Sequence, residues 1–389
     1  MNDLYFSLNN VLPLVWLCAV VAVLSMVWLL TVYRRRVLLK GASVRHDSVV
    51  PGGDFPPLSV IVYTCDNPIG LSALLQQVFA QEYPAKFEVI VVNDGSSEDV
   101  TDVVNRFSME HKNLYQTFVP DEAHNLSRKK LGISLGIKAA RHPFVVLTCA
   151  ECSIASSVWL REMAEPFTRG KEVALGYANI AGLKGAMNRF DEAAAAVKWI
   201  SVALRGKPYR GTGYNIAYSR KLFFDAKGFS KSLTLHHGDD DLFVSSIATG
   251  DNTAVVLAPG SVLSVNDHNP EGILRELRLR HCFTGRFLPK VSARFFGFST
   301  SVMWLWLAAV VLGIVFSLPN ALPASFFVLT VPLLWVPLVI SWSRTASGLG
   351  IKLPRWTLPW LMLFRCGRNL RYKLRCGRAS RRNYTWLQH

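Results

Sequence analysis

Between residues 58 and 167, short apolar runs alternate with stretches whose apolar residues recur at helical spacing. Leu58–Thr64 (LSVIVYT) and Glu88–Asn93 (EVIVVN) are continuous runs suited to strands buried on both faces. Between them Leu71, Leu74, Leu75 and Val78 keep helical spacing up to Gln81-Glu82-Tyr83-Pro84. This is a β-α-β unit, which implies parallel neighbours joined by a right-handed crossover. Val100, Val103, Val104 and Phe107 predict a helix over residues 98–111, Leu114–Pro120 a third strand, and Leu131, Leu135 and Ile137 a helix through Ala140. Phe144–Thr148 is a fourth strand ending on Cys149-Ala150-Glu151, and a helix from about Ser156 to Phe167 closes this half. Beyond it the pattern predicts a strand Val173–Ile180, a helix Asp191–Leu204 and a short strand Ile216–Tyr218.

Longer apolar runs flank this region. Val11–Tyr33 is 23 residues without a charge, and about 20 suffice for a helix to cross the hydrocarbon core. Arg34, Arg35, Arg36 and Lys40 follow directly, which places the amino terminus outside and the next segment in the cytoplasm. A cleaved signal peptide is the rival, but its basic start, shorter core and small-residue cleavage site fit poorly here. Residues 295–343 are 49 without a charge, broken by Pro319-Asn320 and Pro323, so two spans are expected, roughly Phe298–Leu318 and Leu322–Trp342. Trp356–Phe364 is too short to span and is read as lying along the surface, with Trp356, Trp360 and Trp386 as interfacial anchors. The expected organisation is a membrane anchor over 1–40, a cytoplasmic domain over 41–290, a helical hairpin over 291–345 and a basic tail over 346–389.

Charge sharpens that layout. The net charge of +16 suggests nucleic acid until it is located: residues 41–276 hold 23 Lys and Arg against 26 Asp and Glu. All the basic excess lies in Arg34–Lys40 and from Arg278 onward, and no carboxylate follows Glu276. That marks membrane flanks facing anionic lipid, with no nucleic-acid partner. The seven cysteines mostly face a reducing compartment, so no structural disulfide is expected. Cys149-Ala150-Glu151-Cys152 is a lone C-x-x-C, a weak zinc or redox signal without a second pair.

Candidate chemistry gathers after the strands. Asp94 stands at the carboxyl end of the second strand, where open α/β sheets bind ligands, and Gly95-Ser96-Ser97 would leave amides free near a sugar or phosphate. The competing reading makes Asp94 and Ser96 starts of the next helix. His236-His237-Gly238-Asp239-Asp240-Asp241 is the sharpest feature. Three adjacent carboxylates repel one another, which lifts at least one toward the range of a general base. An N-cap on the helix Leu242–Ala248 accounts for one of the three, and a His236/His237/Asp metal site is a further option.

The succession PLSVIVYT, QEYP, FEVIVVNDGSSED, SRKKLGISLGIKAA, PFVVLTCAEC, SSVWL, GTGYNIAYSR, GDDDLF and LRLRH resembles, in order and spacing, the membrane-bound family 2 glycosyltransferases of bacteria over about residues 57–285. The resemblance implies a GT-A fold, α/β with a mostly parallel sheet, and inverting transfer from a nucleotide-sugar donor. It further implies a multi-pass protein of the inner membrane acting on a lipid-linked or envelope glycan acceptor. Carried over by position, Asp66 and Asp94 contact the nucleotide, Lys130 lies near its diphosphate, and Cys149 opens the metal motif on the nucleotide side. Asp240 falls on the base, Asp239 on the acidic position before it, and Arg280 on the group facing the leaving diphosphate. Gly213 and Asn215, with Asp241, line the acceptor side. For Lys129 and Lys130 the plain alternative is a solvated helix start.

Two departures stand out. The family's Asp-x-Asp metal motif reads Cys149-Ala150-Glu151, leaving Glu151 to hold Mg²⁺ or Mn²⁺. With Arg280 aligned, the Gln and Trp of the polymer synthases' Gln-x-x-Arg-Trp motif become Leu277 and His281, which points to addition of one or few sugars. The same losses define the competing class, a catalytically impaired glycosyltransferase-like nucleotide-binding or scaffold protein.

Overall fold

The structure is a computed structural model, described here over residues 8–44, 54–95, 97–120, 126–289, 291–318 and 321–378. Ser96, the Pro319-Asn320 break, Trp386 and part of the linker before the first strand lie outside the described residues.

The first helix, α1 (Leu8–Val44), carries the apolar span Pro13–Gly41 and runs past Arg34–Arg36. It outlasts the uncharged run because arginine, leucine and lysine are themselves good helix formers. The predicted alternation follows as β1 (Leu58–Cys65), α2 (Pro68–Phe79), β2 (Phe87–Asp94), α3 (Glu98–Glu110), β3 (Leu114–Phe118), α4 (Arg128–Ala139) and β4 (Phe144–Cys149). Next come β5 (Cys152–Ser153), α5 (Trp159–Thr168), β6 (Val173–Leu175), β7 (Ala178–Ile180), α6 (Ala186–Ala203), β8 (Ile216–Ser219) and α7 (Arg220–Asp225). The chain continues through α8 (Leu242–Ile247), β9 (Thr253–Val255), β10 (Leu263–Val265), α9 (Pro270–Thr284), α10 (Val291–Ser317), α11 (Ala321–Ser347) and α12 (Leu358–Arg378).

The main sheet has the order β3-β2-β1-β4-β8-β6-β9. β1, β2, β3 and β4 are parallel, and β8 enters antiparallel between β4 and β6. Side chains alternate between two apolar layers. Ile61, Ile90 and Val92 face a core shared with α4, and Val60, Val62, Val89 and Val91 face one shared with α2, α3 and α5. Two glycines one turn apart seat α4 on the sheet: a Cβ on Gly132 would lie 2.9 Å from Val92 Cγ1, and one on Gly136 2.8 Å from Ile61 Cγ2. That close approach brings Arg128, Lys129 and Lys130, at the start of α4, to the carboxyl edge of β1 and β2.

The predicted strand Val173–Ile180 is two strands in different sheets. β6 joins the main sheet, and β7 pairs with β10 in a three-stranded sheet of order β5-β10-β7. The break falls where the Asn215 amide packs on Gly176, whose Cβ would lie 2.6 Å from Asn215 Cγ. Among the described residues, three helices are long and apolar enough to cross a membrane, with spans Pro13–Gly41, Gly297–Ser317 and Pro323–Ser347. Trp28 meets Trp306 and Trp335 at centroid distances of 5.9 and 5.5 Å, and Trp306 Nε1 donates to Ser25 Oγ at 2.7 Å. The surface segment expected over Trp356–Phe364 is longer than predicted: after a short turn it becomes α12, which packs on α6 and α9.

Candidate active site

Register places the first candidates together, because Cys65 of β1 pairs with Asp94 of β2 and Tyr63 with Cys149 of β4. Asp94 is buried. Arg128 Nε donates to its Oδ1 at 2.7 Å and the Tyr63 hydroxyl donates to Oδ2, so the carboxylate arrives with both oxygens partnered. Burial and Asp94 push the Tyr63 hydroxyl far above its ordinary value, keeping it a donor. Asp66 opens the loop after β1 with φ of 49°, a left-handed conformation that Asp tolerates better than most residues.

The two lysines of α4 part company. Lys130, fully buried, donates to the carbonyls of Ser232 (2.5 Å), Leu235 (3.2 Å) and His237 (2.7 Å) and to Ser232 Oγ (3.2 Å). Burial lowers its pKa to about 8, and its ammonium pins the loop that delivers the Asp triplet. That geometry differs from the expected place beside a diphosphate. Lys129 instead lies 3.2 Å from Asp239 Oδ2 and over the Tyr214 ring at 5.4 Å. Burial would lower its pKa, but Asp239 outweighs this and the ammonium stays charged.

The triplet divides three ways. Asp241 is the buried N-cap of α8, accepting from the Leu242 amide at 2.7 Å, from the Thr284 hydroxyl and from Arg210 Nη2 at 3.3 Å. It ties α8 to α9 with both carboxylate oxygens already partnered, where its position suggests an acceptor contact. For Asp239, burial favours protonation, yet Lys129, Arg280 and Lys130 outweigh it and hold the carboxylate well below its usual range. For Asp240, burial, Asp239 and Asp241 all act upward, and its pKa rises to about 7. Gly213 borders this pair: a Cβ there would meet Asp239 Oδ2 at 3.0 Å and Lys129 Nζ at 3.4 Å. Arg280, on α9, pairs with Glu276, and its charge also acts on Asp239 and Asp240.

Asn215, expected toward an acceptor, is fully buried. Its amide donates to the carbonyls of Tyr177 (2.9 Å) and Ser261 (2.7 Å) and accepts from Trp159 Nε1 (3.1 Å). Cys149 Sγ donates to the Gly213 carbonyl at 3.9 Å and Cys152 Sγ to that of Tyr214 at 3.8 Å. Burial raises both thiols, Cys152 to about 11, so the C-x-x-C clasps the glycine loop as neutral thiols. The histidine that meets Asp240 and Asp241 is His281, not His236 or His237, with the donor atoms within 4.8 Å of one another. Burial and Arg210, Arg278 and Arg280 hold His281 neutral, and Asp241 is already committed to three donors. Glu151, half-buried after β4, offers a carboxylate without Cys149 beside it as a second oxygen ligand. One carboxylate fits Mg²⁺ or Mn²⁺ when phosphate oxygens and water fill the remaining positions.

Leu277 packs with Ile180, Leu183 and Leu274. Arg210, Thr284 and Arg128 are site residues the motif reading missed. Arg210 and Thr284 stand 31 and 43 residues from Asp241 with no spacing to betray them, whereas Arg128 adjoins the Lys129-Lys130 pair.

The model of glycosyl transferase family 21 matches residues 14–367. The chain belongs to this family. The expectation of a glycosyltransferase therefore holds, in family 21 where the motifs resembled family 2. None of the curated proteins matches the chain. Among solved structures, the mannosyltransferase PcManGT from Pyrobaculum calidifontis, in complex with GDP-Man and Mn²⁺, is similar at 19% identity and TM-score 0.51, covering 86% of this chain and 96% of that one. S. aureus TarS is matched at 15% identity and TM-score 0.42, over 82% of this chain and 54% of that one. The first likeness agrees with the GT-A α/β frame.

Proposed function

We propose that this family 21 enzyme transfers a sugar, with inversion, from a nucleotide-sugar donor to a lipid-linked or envelope glycan acceptor at the cytoplasmic membrane face, adding one or few residues. The observation that carries the reading is the Asp239–Asp240 pair, two adjacent carboxylates whose pKa values are driven apart, one held charged by Lys129 and Arg280 and one raised to about 7. An acceptor hydroxyl loses its proton as it attacks, and a carboxylate titrating near neutrality suits that task. Asp239 keeps Lys129 in place at the mouth of the Gly213 loop, where the ammonium can meet a departing diphosphate together with Arg280. In this reading Asp66 and Asp94 contact the nucleoside, a role supported by Arg128 and Tyr63, which orient the Asp94 carboxylate. Glu151 would hold Mg²⁺ or Mn²⁺, which supplies charge neutralisation to the diphosphate when bound.

The scaffold reading rests on one observation, the neutral, buried Cys149 in place of a metal-binding carboxylate. Calorimetric titration of the purified protein with UDP, GDP, CDP and ADP, with and without Mn²⁺ and alongside Glu151→Ala, separates the two. Metal-dependent binding of one nucleotide, lost in the variant, is the expected result. No binding to any of them by folded protein would leave the scaffold reading in possession.

A further inference from the structure

A cavity of about 670 Å³ lies between α6, α9 and α12, away from the Asp239–Asp240 pair. Its floor is rigid: Arg368 donates to Asn188 Oδ1 at 2.7 Å, pairs with the fully buried Asp191 at 3.3 Å and packs on Tyr372. Arg278 and Arg365 share that one carboxylate, at 3.1 and 3.3 Å, so the floor itself carries an excess of positive charge. The rim holds Arg275, Arg371 and Arg375, all exposed. The carboxylate lining the cavity, Glu271, is taken by the Lys184 amide at 3.0 Å. Four guanidinium forks, Arg275, Arg368, Arg371 and Arg375, around a cavity lined by the single carboxylate Glu271 leave an excess of positive charge that matches a phosphate group.

The surroundings say where that phosphate comes from. Trp360, Phe364, Leu370 and Leu374 are each more than half exposed and form one stripe of α12, which Arg368, Arg371 and Arg375 border or enter at helical spacing. α12 also reaches the membrane helices: Trp304 Nε1 donates to Cys366 Sγ at 3.4 Å, and Trp304 lies inside the span Gly297–Ser317. That contact and the exposed stripe set α12 beside the apolar spans, where the acyl chains and headgroups of a bilayer would meet. We propose that this cavity binds the phosphate of an anionic membrane lipid, with Arg275, Arg371 and Arg375 on the headgroup and the acyl chains along the α12 stripe. The site does not depend on the glycosyl-transfer reading.

The test is native mass spectrometry of the full chain released from micelles containing defined phosphatidylglycerol and phosphatidylcholine. Retention of phosphatidylglycerol over phosphatidylcholine is expected, weakened roughly thirtyfold by Arg371→Ser/Arg375→Ser and reduced by Arg275→Ser on the other wall. Lys352→Ser/Arg355→Ser, basic residues outside the cavity, should retain the lipid. Melting temperature without added lipid reports that each variant is folded. Equal retention of the two lipids, or equal phosphatidylglycerol retention by the parent and both cavity variants, would overturn the proposal. So would stabilisation by inorganic phosphate, acting through the same arginines, that equals stabilisation by phosphatidylglycerol, since the ligand would then be free phosphate.

Discussion

Lys129 and Lys130 are neighbours in sequence, but one helical step turns them by about 100°, one to the Asp239 carboxylate and the other to four acceptors in the loop before it. Lys130→Met is expected to cost about 3 kcal/mol of stability by orphaning buried carbonyls. Lys129→Met strips the buried Asp239 carboxylate of its nearest cation, so it too should lose stability, but it should also lower turnover per folded molecule about a hundredfold or more. Turnover per folded molecule that falls equally in both variants would refute the division. The Lys-Lys pair was legible as chemistry, yet which of the two faces inward depends on where residues 232–237 come to lie, which no local pattern encodes. Asp240 permits a test with a definite sign. Its folded pKa is raised, so the stability tied to its proton is present in full below the ordinary carboxylate range and is lost as pH rises through about 7. Asp240→Asn cannot ionise, so its melting temperature should gain on the parent's as pH climbs from the ordinary carboxylate range to that value and level off above it. Turnover of the parent should rise over the same interval, while the variant stays inactive throughout. A melting-temperature difference that does not change with pH would remove Asp240 as the titrating group.

At the scale of elements, β1 to β4 were readable because each is buried on both faces and must be a continuous apolar run. The second half was harder. β6, β7, β9 and β10 are three residues each, too short for alternation to register, and the β6–β7 break is imposed by Asn215 from 39 positions away along the chain. α12 was foreseen only as a surface segment, because its anchoring lies in partners far off in sequence: Arg365 is 174 residues from Asp191. That carboxylate, fully buried in α6, gathers arginines from α9 and α12 and joins the tail helix to the helix bearing Arg280. Asp191→Asn would leave three guanidinia around a neutral amide and should cost about 3–5 kcal/mol. Limited proteolysis should then cut more readily between α11 and α12. An unchanged cleavage rate together with an unchanged melting temperature would show that α12 is held by its apolar contacts alone.

For the molecule as a whole, the membrane helices and the α/β domain are one packed unit. α1 touches α6, and Phe190 of α6 lies edge-on to Trp342 of α11 at 5.2 Å. The family match likewise runs through α1, the sheet and the α10–α11 hairpin without interruption. A site fixed so rigidly to its candidate spans works on whichever side the spans put it, and the proposed cytoplasmic placement rests on charge: Arg34, Arg35, Arg36 and Lys40 after the first span, and a carboxylate-free basic stretch after the third. Under that proposal three crossings leave the amino terminus on the far side from both the sheet and the tail. Reporter fusions that fluoresce only in the cytoplasm should therefore be dark at the amino terminus and bright at the carboxyl terminus, and a periplasmic enzymatic reporter should give the reverse. Both termini reporting from one side would mean that one apolar helix does not cross. An exchanged pattern would put Asp239 and Asp240 outside, beyond the reach of cytoplasmic nucleotide sugars, and the proposed donor would have to be abandoned.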